Sequence, residues 1–336
     1  MFHITVLLAL SVGLLAGVVA FVGFENTVTA VHHAGMGSFA VVGVLTAVLL
    51  ALQAWAWSAL NRPIRHQVPY RTLFEAVVVG LAGNIITPSS YMGGEPLKVL
   101  YVSKSRGLPG TEVTGTVVLS KYLEAISFIF FFSFSTVVAA VAYRGPLFGD
   151  YFAVGCTMLV LAGVLLALSA TLWLALSNRW RPLTALVETL AQVPWLHRIF
   201  GSLAERAGCM EDQVSRVFCE EGTASRRAFA ALMLGHVAIF AKPAAFFYLG
   251  AGLQLSLAEL CLIFVAGQAL LALQLTPSGA GTLDGGLIAT FALIGLGDAP
   301  QCMAFLLCLR FWDALIVAAG AALGARVGAR VINARK

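Results

Sequence analysis

The chain has 336 residues, 60% of them hydrophobic and 11% charged, with 21 basic against 16 acidic side chains and a formal charge of +5. Its mean hydropathy is +0.90. A soluble domain carries about 25% charged residues, so this composition excludes a soluble fold, and the basic excess reads as loop asymmetry across a membrane rather than as a nucleic-acid surface.

Residues 4–24 form the first apolar span. They lack a Lys/Arg n-region and exceed the ~7–15 apolar residues of a cleaved signal, so a retained helix is expected. Further continuous spans fall at 37–60, 112–142, 149–177, 229–252 and 301–325, each long enough to cross a hydrocarbon core of about 30 Å. Two other apolar stretches, 73–106 and 258–297, are interrupted by Thr87-Pro88-Ser89 and Thr276-Pro277-Ser278, each followed by glycines. Pro and Gly end or kink a helix. Loose backbone at membrane depth survives only where protein buries it or a wet cavity borders it, which predicts two re-entrant hairpins.

Arginines set the orientation. Arg62, Arg65 and Arg71, seven arginines from Arg179 to Arg227, and Arg326, Arg330, Arg335 and Lys336 mark three cytoplasmic regions. The stretches 25–36 and 253–258 contain no Lys or Arg and are expected to be outward loops. Counting crossings places both termini in the cytoplasm, in a cytoplasmic (inner) membrane, and makes the two hairpins dip in from opposite sides. Between Asn178 and Ser225, Leu183, Leu186, Val187 and Leu190 recur at helical spacing, which suits helices lying in the interface or a small solvated hairpin.

A fixed shift of 189 residues lays the second broken segment on the first without gaps. Thr87-Pro88-Ser89 falls on Thr276-Pro277-Ser278, Glu95 on Asp284, Lys121 on Arg310, Tyr122 on Phe311 and Glu124 on Asp313. Gln53 falls on Lys242, which extends the match to the preceding helices. The expected organisation is one membrane domain over 1–336, with repeat 1 at about 37–142, a cytoplasmic amphipathic segment at 178–227 and repeat 2 at about 229–325. Inverted-topology repeats with broken helices are a transporter architecture, with substrate held near the midplane.

Charges inside the spans are costly and therefore informative, at about 2.5–3.5 kcal/mol each on insertion scales. Lys121 with Glu124, and Arg310 with Asp313, stand three residues apart on one helix face and can pair locally. Such pairs either fix packing or supply charge to a cavity. Lys242 has no acid in its own span, and a lone intramembrane Lys is a functional candidate. His236 is readable as a neutral side chain bonded to backbone or as a proton sensor. Gly93-Gly94-Glu95-Pro96-Leu97-Lys98 sets a flexible turn before an acid and a base, where a helix start would aim its positive end at an anion such as a lipid phosphate. Gly279, Gly281, Gly285 and Gly286 surround Asp284 in the second hairpin and serve equally well for close helix packing. Glu95 and Asp284 are candidates for binding an amine, carrying protons or capping helices.

With those residues in view, the chain resembles the flippase-like membrane domain of lysylphosphatidylglycerol synthases and its free-standing relatives. The family's Pro then Gly-Gly-acid-x-x-base is similar to Pro88 through Gly93-Gly94-Glu95-Pro96-Leu97-Lys98. Its Pro-x-Gly-x-Gly-x-x-acid element is similar to Pro277 through Asp284, and its basic-x-x-acidic helix motif to Lys121 through Glu124. Lys98 and Lys121 stand where the family commonly has Arg, and Asp284 where it has Glu. Charge is kept, although Lys meets phosphate as a point charge rather than a bidentate fork. The sequence runs to Lys336 without a soluble aminoacylating domain, so transport without synthesis is expected.

The fold class expected is an all-α polytopic membrane protein, with about six transmembrane helices plus two re-entrant helical hairpins related as inverted-topology repeats. The function expected is a lipid transporter or flippase moving a phosphate-containing lipid, whether a phospholipid, an aminoacylated phospholipid or a polyprenyl-phosphate-linked lipid. Thr87, Pro88, Ser89, Gly94, Glu95, Lys98, Lys121, Glu124, Lys242, Thr276, Pro277, Ser278, Asp284, Arg310 and Asp313 form the expected substrate site. The alternative is a membrane-embedded enzyme or accessory subunit of lipid or glycolipid modification. The sequence contains no HExxH, GxxxxGK[ST] or GxSxG, and its six cysteines have no metal-site spacing. No enzymatic role, cofactor, metal or nucleic-acid partner is expected. The partner is a membrane lipid, with a homodimer or a lipid-modifying enzyme as further partner classes.

Overall fold

A computed structural model describes residues 24–61, 67–87, 93–143, 152–192, 208, 211–212, 218, 222–272, 279, 281–296 and 300–333. Every regular element among them is an α-helix: α1 (Phe24–Leu60), α2 (Tyr70–Ile86), α3 (Glu95–Arg106), α4 (Gly110–Ala142), α5 (Phe152–Ser177), α6 (Pro182–Ala191), α7 (Gly222–Ala251), α8 (Leu257–Ala272), α9 (Thr282–Leu293) and α10 (Pro300–Asn333). Four stretches are long and apolar enough to cross a membrane: Ala34–Leu60, Gly110–Ala142, Gly222–Ala251 and Gln301–Ala329. They occupy the expected spans 37–60, 112–142, 229–252 and 301–325. A fifth expected span, 149–177, is described from 152 onward as α5, whose apolar run Leu159–Ala175 is shorter. The expected span 4–24 lies outside the described residues except for Phe24.

One expected loop is corrected. Residues 25–34 continue as helix, and α1 breaks only at Gly35, with φ 71° and ψ 155°. The lack of Lys and Arg reports the side of a membrane and not the backbone conformation. The break falls on glycine because a side chain at that φ would clash. The other expected outward loop, near 253–258, is non-helical from 252 to 256.

Both broken segments fold as pairs of short helices, α2 with α3 and α8 with α9. The first pair closes tightly because glycines let backbones approach. A Cβ on Gly94 would stand 1.9 Å from the Gly80 carbonyl oxygen. The Gly94 N–H donates to Asn84 Oδ1 at 2.7 Å, which ties the start of α3 to α2. A Cβ on Gly286 would meet the Leu270 side chain at 2.2 Å, so in the second pair a side chain of α8 fills the space over the α9 glycine.

At the shift of 189, α1 to α4 fall on α7 to α10, and apart from the start of α1 the helix boundaries agree within three residues. The pair α1 and α7 packs antiparallel, with Ala34 beside Gly250 and Leu49 beside Gly235. The hairpins are exchanged between the halves. Ala82 and Ile85 of α2 pack on Ile316 and Val317 of α10, while Phe264 of α8 meets Phe131 of α4 edge to face with ring centroids 5.0 Å apart.

Candidate functional site

A cavity of about 450 Å³ lies where the eight helices meet, with lining residues from α1 to α4 and α7 to α10 and none from α5 or α6. Its wall is mainly apolar, including Phe128, Phe240, Phe264 and Phe305. Into this wall project Lys98 (α3), Lys121 and Glu124 (α4), Lys242 (α7) and Asp313 (α10). Five of the expected site residues thus come from four helices to one space.

The acid and base of each half form a matching triad. In the first, Lys121 Nζ stands 3.4 Å from Glu95 Oε1 and 3.3 Å from Glu124 Oε2. In the second, Arg310 Nη2 stands 2.8 Å from Asp284 Oδ1 and Nη1 3.3 Å from Asp313 Oδ2. The two pairs three residues apart form as the helical spacing requires. Each base also reaches the acid at the start of its own hairpin's second helix, and spacing alone does not reveal this second link. The signal was present in the repetition of Glu95 and Asp284 at the same offset as the bases.

The two triads differ in what they leave open. Arg310 is 1% exposed, and it does not line the cavity. Its Nε adds a second hydrogen bond to Asp284 Oδ1 at 3.1 Å, and Asp284 Oδ2 accepts the Gly281 N–H at 3.0 Å. In that triad the base is sealed away, and only Asp313 reaches the cavity wall. The first triad carries an additional base, Lys98, whose Nζ donates to Glu95 Oε1 at 3.1 Å. Lys98 reaches it by lying across Gly80, where a Cβ would stand 2.5 Å from its Cε. Lys98 and Lys121 share Glu95 Oε1, while Glu95 Oε2 is buried without a partner among the described residues.

The pairing of Gln53 with Lys242 also has a spatial meaning. Gln53 Nε2 lies 3.5 Å from Glu124 Oε1, while Lys242 lines the same cavity as Asp313, the counterpart of Glu124. Lys242 makes no ion pair within 4 Å among the described residues, and it lines the cavity. Pro243 follows it inside α7 and withholds the N–H that would bond the Ile239 carbonyl. His236 is 8% exposed, lies against Phe128 and Phe131, and has Nε2 3.1 Å from Ser127 Oγ and Nδ1 without a partner.

Of the remaining expected site residues, Thr87 is the C-cap of α2, and its hydroxyl donates to the Gly83 carbonyl at 2.7 Å. Gly94 is the N-cap of α3. Pro88, Ser89, Thr276, Pro277 and Ser278 lie outside the described residues. Asn84, Gln268 and Trp312 also line the cavity and were not expected there. Asn84 left a legible trace as the one amide in an apolar run just before the break. Trp312 did not, because its role is to fill the hollow over Gly43 and to donate its indole N–H to the Phe39 carbonyl.

An all-helical bundle with broken apolar segments and an ion-paired cavity inside apolar walls defines a polytopic integral membrane protein. The chain belongs to the family described as the lysylphosphatidylglycerol synthase TM region, which matches residues 4–320. Among curated proteins it is similar to a UPF0104 membrane protein of Methanothermobacter thermautotrophicus, 29% identical over 138 residues, covering 41% of this chain and 40% of the relative. A second relative, from Methanocaldococcus jannaschii, is 24% identical over 127 residues, 38% of each chain. A third, from Pyrococcus horikoshii, is 20% identical over 291 residues, covering 82% of this chain and 83% of the relative. The matches to the first two relatives thus span about two-fifths of their length. No solved structure matches the chain.

Proposed function

We propose that the protein moves a phosphate-bearing lipid between the leaflets of the cytoplasmic membrane, with the headgroup passing through the central cavity while the acyl chains stay in lipid. The observation that carries this reading is the convergence of Lys98, Lys121 and Lys242 on one largely apolar cavity. A phosphate offers several acceptor oxygens, and ammonium groups in a low-dielectric site hold it by charge-assisted hydrogen bonds. The apolar wall accepts the glycerol and proximal acyl carbons, so neither part of an amphiphile has to enter a hostile medium. Family membership supports a lipid-related membrane role. An enzyme or accessory subunit would not by itself call for cations spread over three helices.

The matching of α1–α4 with α7–α10, together with the antiparallel packing of the equivalent pair α1 and α7, supports an inverted duplication. In that arrangement one half rocks against the other around a fixed site, which gives alternating access. The basic loops support an orientation with both termini in the cytoplasm. The test is translocation of fluorescent phosphatidylglycerol in proteoliposomes, read by chemical quenching of the outer leaflet. Lys121→Ala removes a charge-assisted contact worth about 1.5–3 kcal/mol, so translocation should fall at least tenfold in the monodisperse fraction, where Lys98 still holds Glu95. Absence of lipid movement by the wild type under any gradient would replace this reading with the accessory one.

A further inference from the structure

Taken together, the two triads, Lys98 and Lys242 are electrically neutral. Lys98, Lys121, Lys242 and Arg310 balance Glu95, Glu124, Asp284 and Asp313 when all are ionised. A phosphodiester adds one negative charge to that balance, in surroundings where an uncompensated charge costs several kcal/mol. Something must restore neutrality as the anion enters. Arg310 keeps its proton at any accessible pH, so the adjustment falls to an acid that can gain one.

The hydrogen-bond inventory distinguishes the four acids. Asp284 has one oxygen on Arg310 and the other on the Gly281 N–H. Asp313 holds Arg310. Glu124 has one oxygen toward Gln53 and the other on Lys121. Glu95 alone carries two lysines on a single oxygen while its second oxygen is buried and unpartnered. Those same two lysines line the cavity and are the cations a phosphate would engage. An entering phosphate therefore competes with Glu95 for Lys98 and Lys121, and a carboxylate losing its cations holds a proton more readily.

We infer that the anionic headgroup binds together with a proton, which passes from water to Glu95 as the phosphate takes over Lys98 and Lys121, and which leaves again when the lipid is released. No other bond changes. This inference rests on the proposed lipid-phosphate site and assigns it a coupling ion. Glu95 is faced by Lys98 on its own helix and by Lys121 from α4, which also holds Glu124. Asn84, on α2, binds the neighbouring Gly94 N–H. Farther along the wall stand Asp313 from α10 and Lys242 and His236 from α7. His236, with its unpartnered Nδ1, is the competing proton acceptor. Because lipid and proton enter as a neutral pair, transport of an anionic lipid would follow a pH gradient and ignore the membrane potential.

The experiment is calorimetric titration of the purified full chain in detergent with dihexanoyl-phosphatidylglycerol, in two buffers of different ionisation enthalpy. Wild type should take up about one proton per lipid, with affinity falling by up to tenfold per pH unit on the alkaline side. Zwitterionic dihexanoyl-phosphatidylcholine, which adds no net charge, should bind without proton uptake. Glu95→Gln should bind the anionic lipid with no proton uptake and a flat pH profile, and His236→Gln should behave as wild type. Wild-type binding of the anionic lipid without proton uptake overturns the coupling and leaves the lipid site standing. Uptake that persists in Glu95→Gln, or vanishes only in His236→Gln, overturns the assignment to Glu95. If Glu95→Gln does not fold, the wild-type proton count still decides the coupling. Wild type that binds neither lipid at any pH fails the proposed function itself, and the inference with it.

Discussion

Arg310 and Lys242 are both intramembrane cations, yet their surroundings call for opposite outcomes on removal. Arg310 is buried between two carboxylates, and truncating one member of such a cluster strands the rest at a cost of about 3–5 kcal/mol. Arg310→Ala should therefore lower the thermal midpoint sharply or abolish a monodisperse peak in detergent, whatever lipid is supplied. Lys242 has no partner within ion-pair distance among the described residues, so Lys242→Met removes a costly buried charge. Its thermal midpoint should hold or rise, while translocation of phosphatidylglycerol falls at least tenfold. A Lys242→Met variant that transports normally would leave that ammonium without a role. Sequence spacing showed both pairs three residues apart, because an α-helix fixes which side chains meet. It did not show that Arg310 would be sealed from the cavity and Lys121 open to it. The halves also differ at Lys98, which stands where the second half has Leu287.

The short helices were legible as elements because Pro, Gly and polar residues interrupt otherwise apolar runs, and the observed α2/α3 and α8/α9 pairs lie within the expected segments. What keeps α3 close to α2 was less visible. Gly94 was read as a source of turn flexibility and free backbone N–H groups. In the fold its φ is −84°, an ordinary value, and its importance is the absence of a Cβ against the Gly80 carbonyl. Backbone cannot retreat as a side chain can, so Gly94→Ala should destabilise the protein by about 2–4 kcal/mol, measurable by thermal unfolding in detergent. Gly80→Ala should cost less, since the atoms it meets belong to the flexible stem of Lys98. Equal midpoints for Gly94→Ala and wild type would mean that α3 does not lean on α2 as described.

Over the whole molecule, the proposed inversion makes a geometric prediction. Lys104 and Leu293 are equivalent at the shift of 189, and both are exposed near the ends of α3 and α9. In a background lacking native cysteines, Lys104→Cys and Leu293→Cys should react with a membrane-impermeant maleimide from opposite sides of oriented vesicles. Labelling from the same side would rule out the inverted relation. The duplication could be read from the sequence because its polar residues are few and expensive, so their repetition at one offset stands out against an apolar background. The antiparallel contact of α1 with α7 could not, since Ala, Leu and Gly along both helices suit many crossings equally well.

The exchange of hairpins between the halves bears on how this protein can be built. Since α2 finds its cover on α10 and α8 finds its cover on α4, each half synthesised by itself would leave apolar and ionic surface without its intended neighbour, and neither should persist as a separate unit. Divided between α6 and α7, the two fragments should be degraded when made singly and should recover together, as a clasp holds only when both hooks engage. Recovery would be scored by co-purification through a tag on one fragment. A stable, monodisperse N-terminal fragment would instead mean that the contact of α2 with α10 contributes little to holding the bundle together.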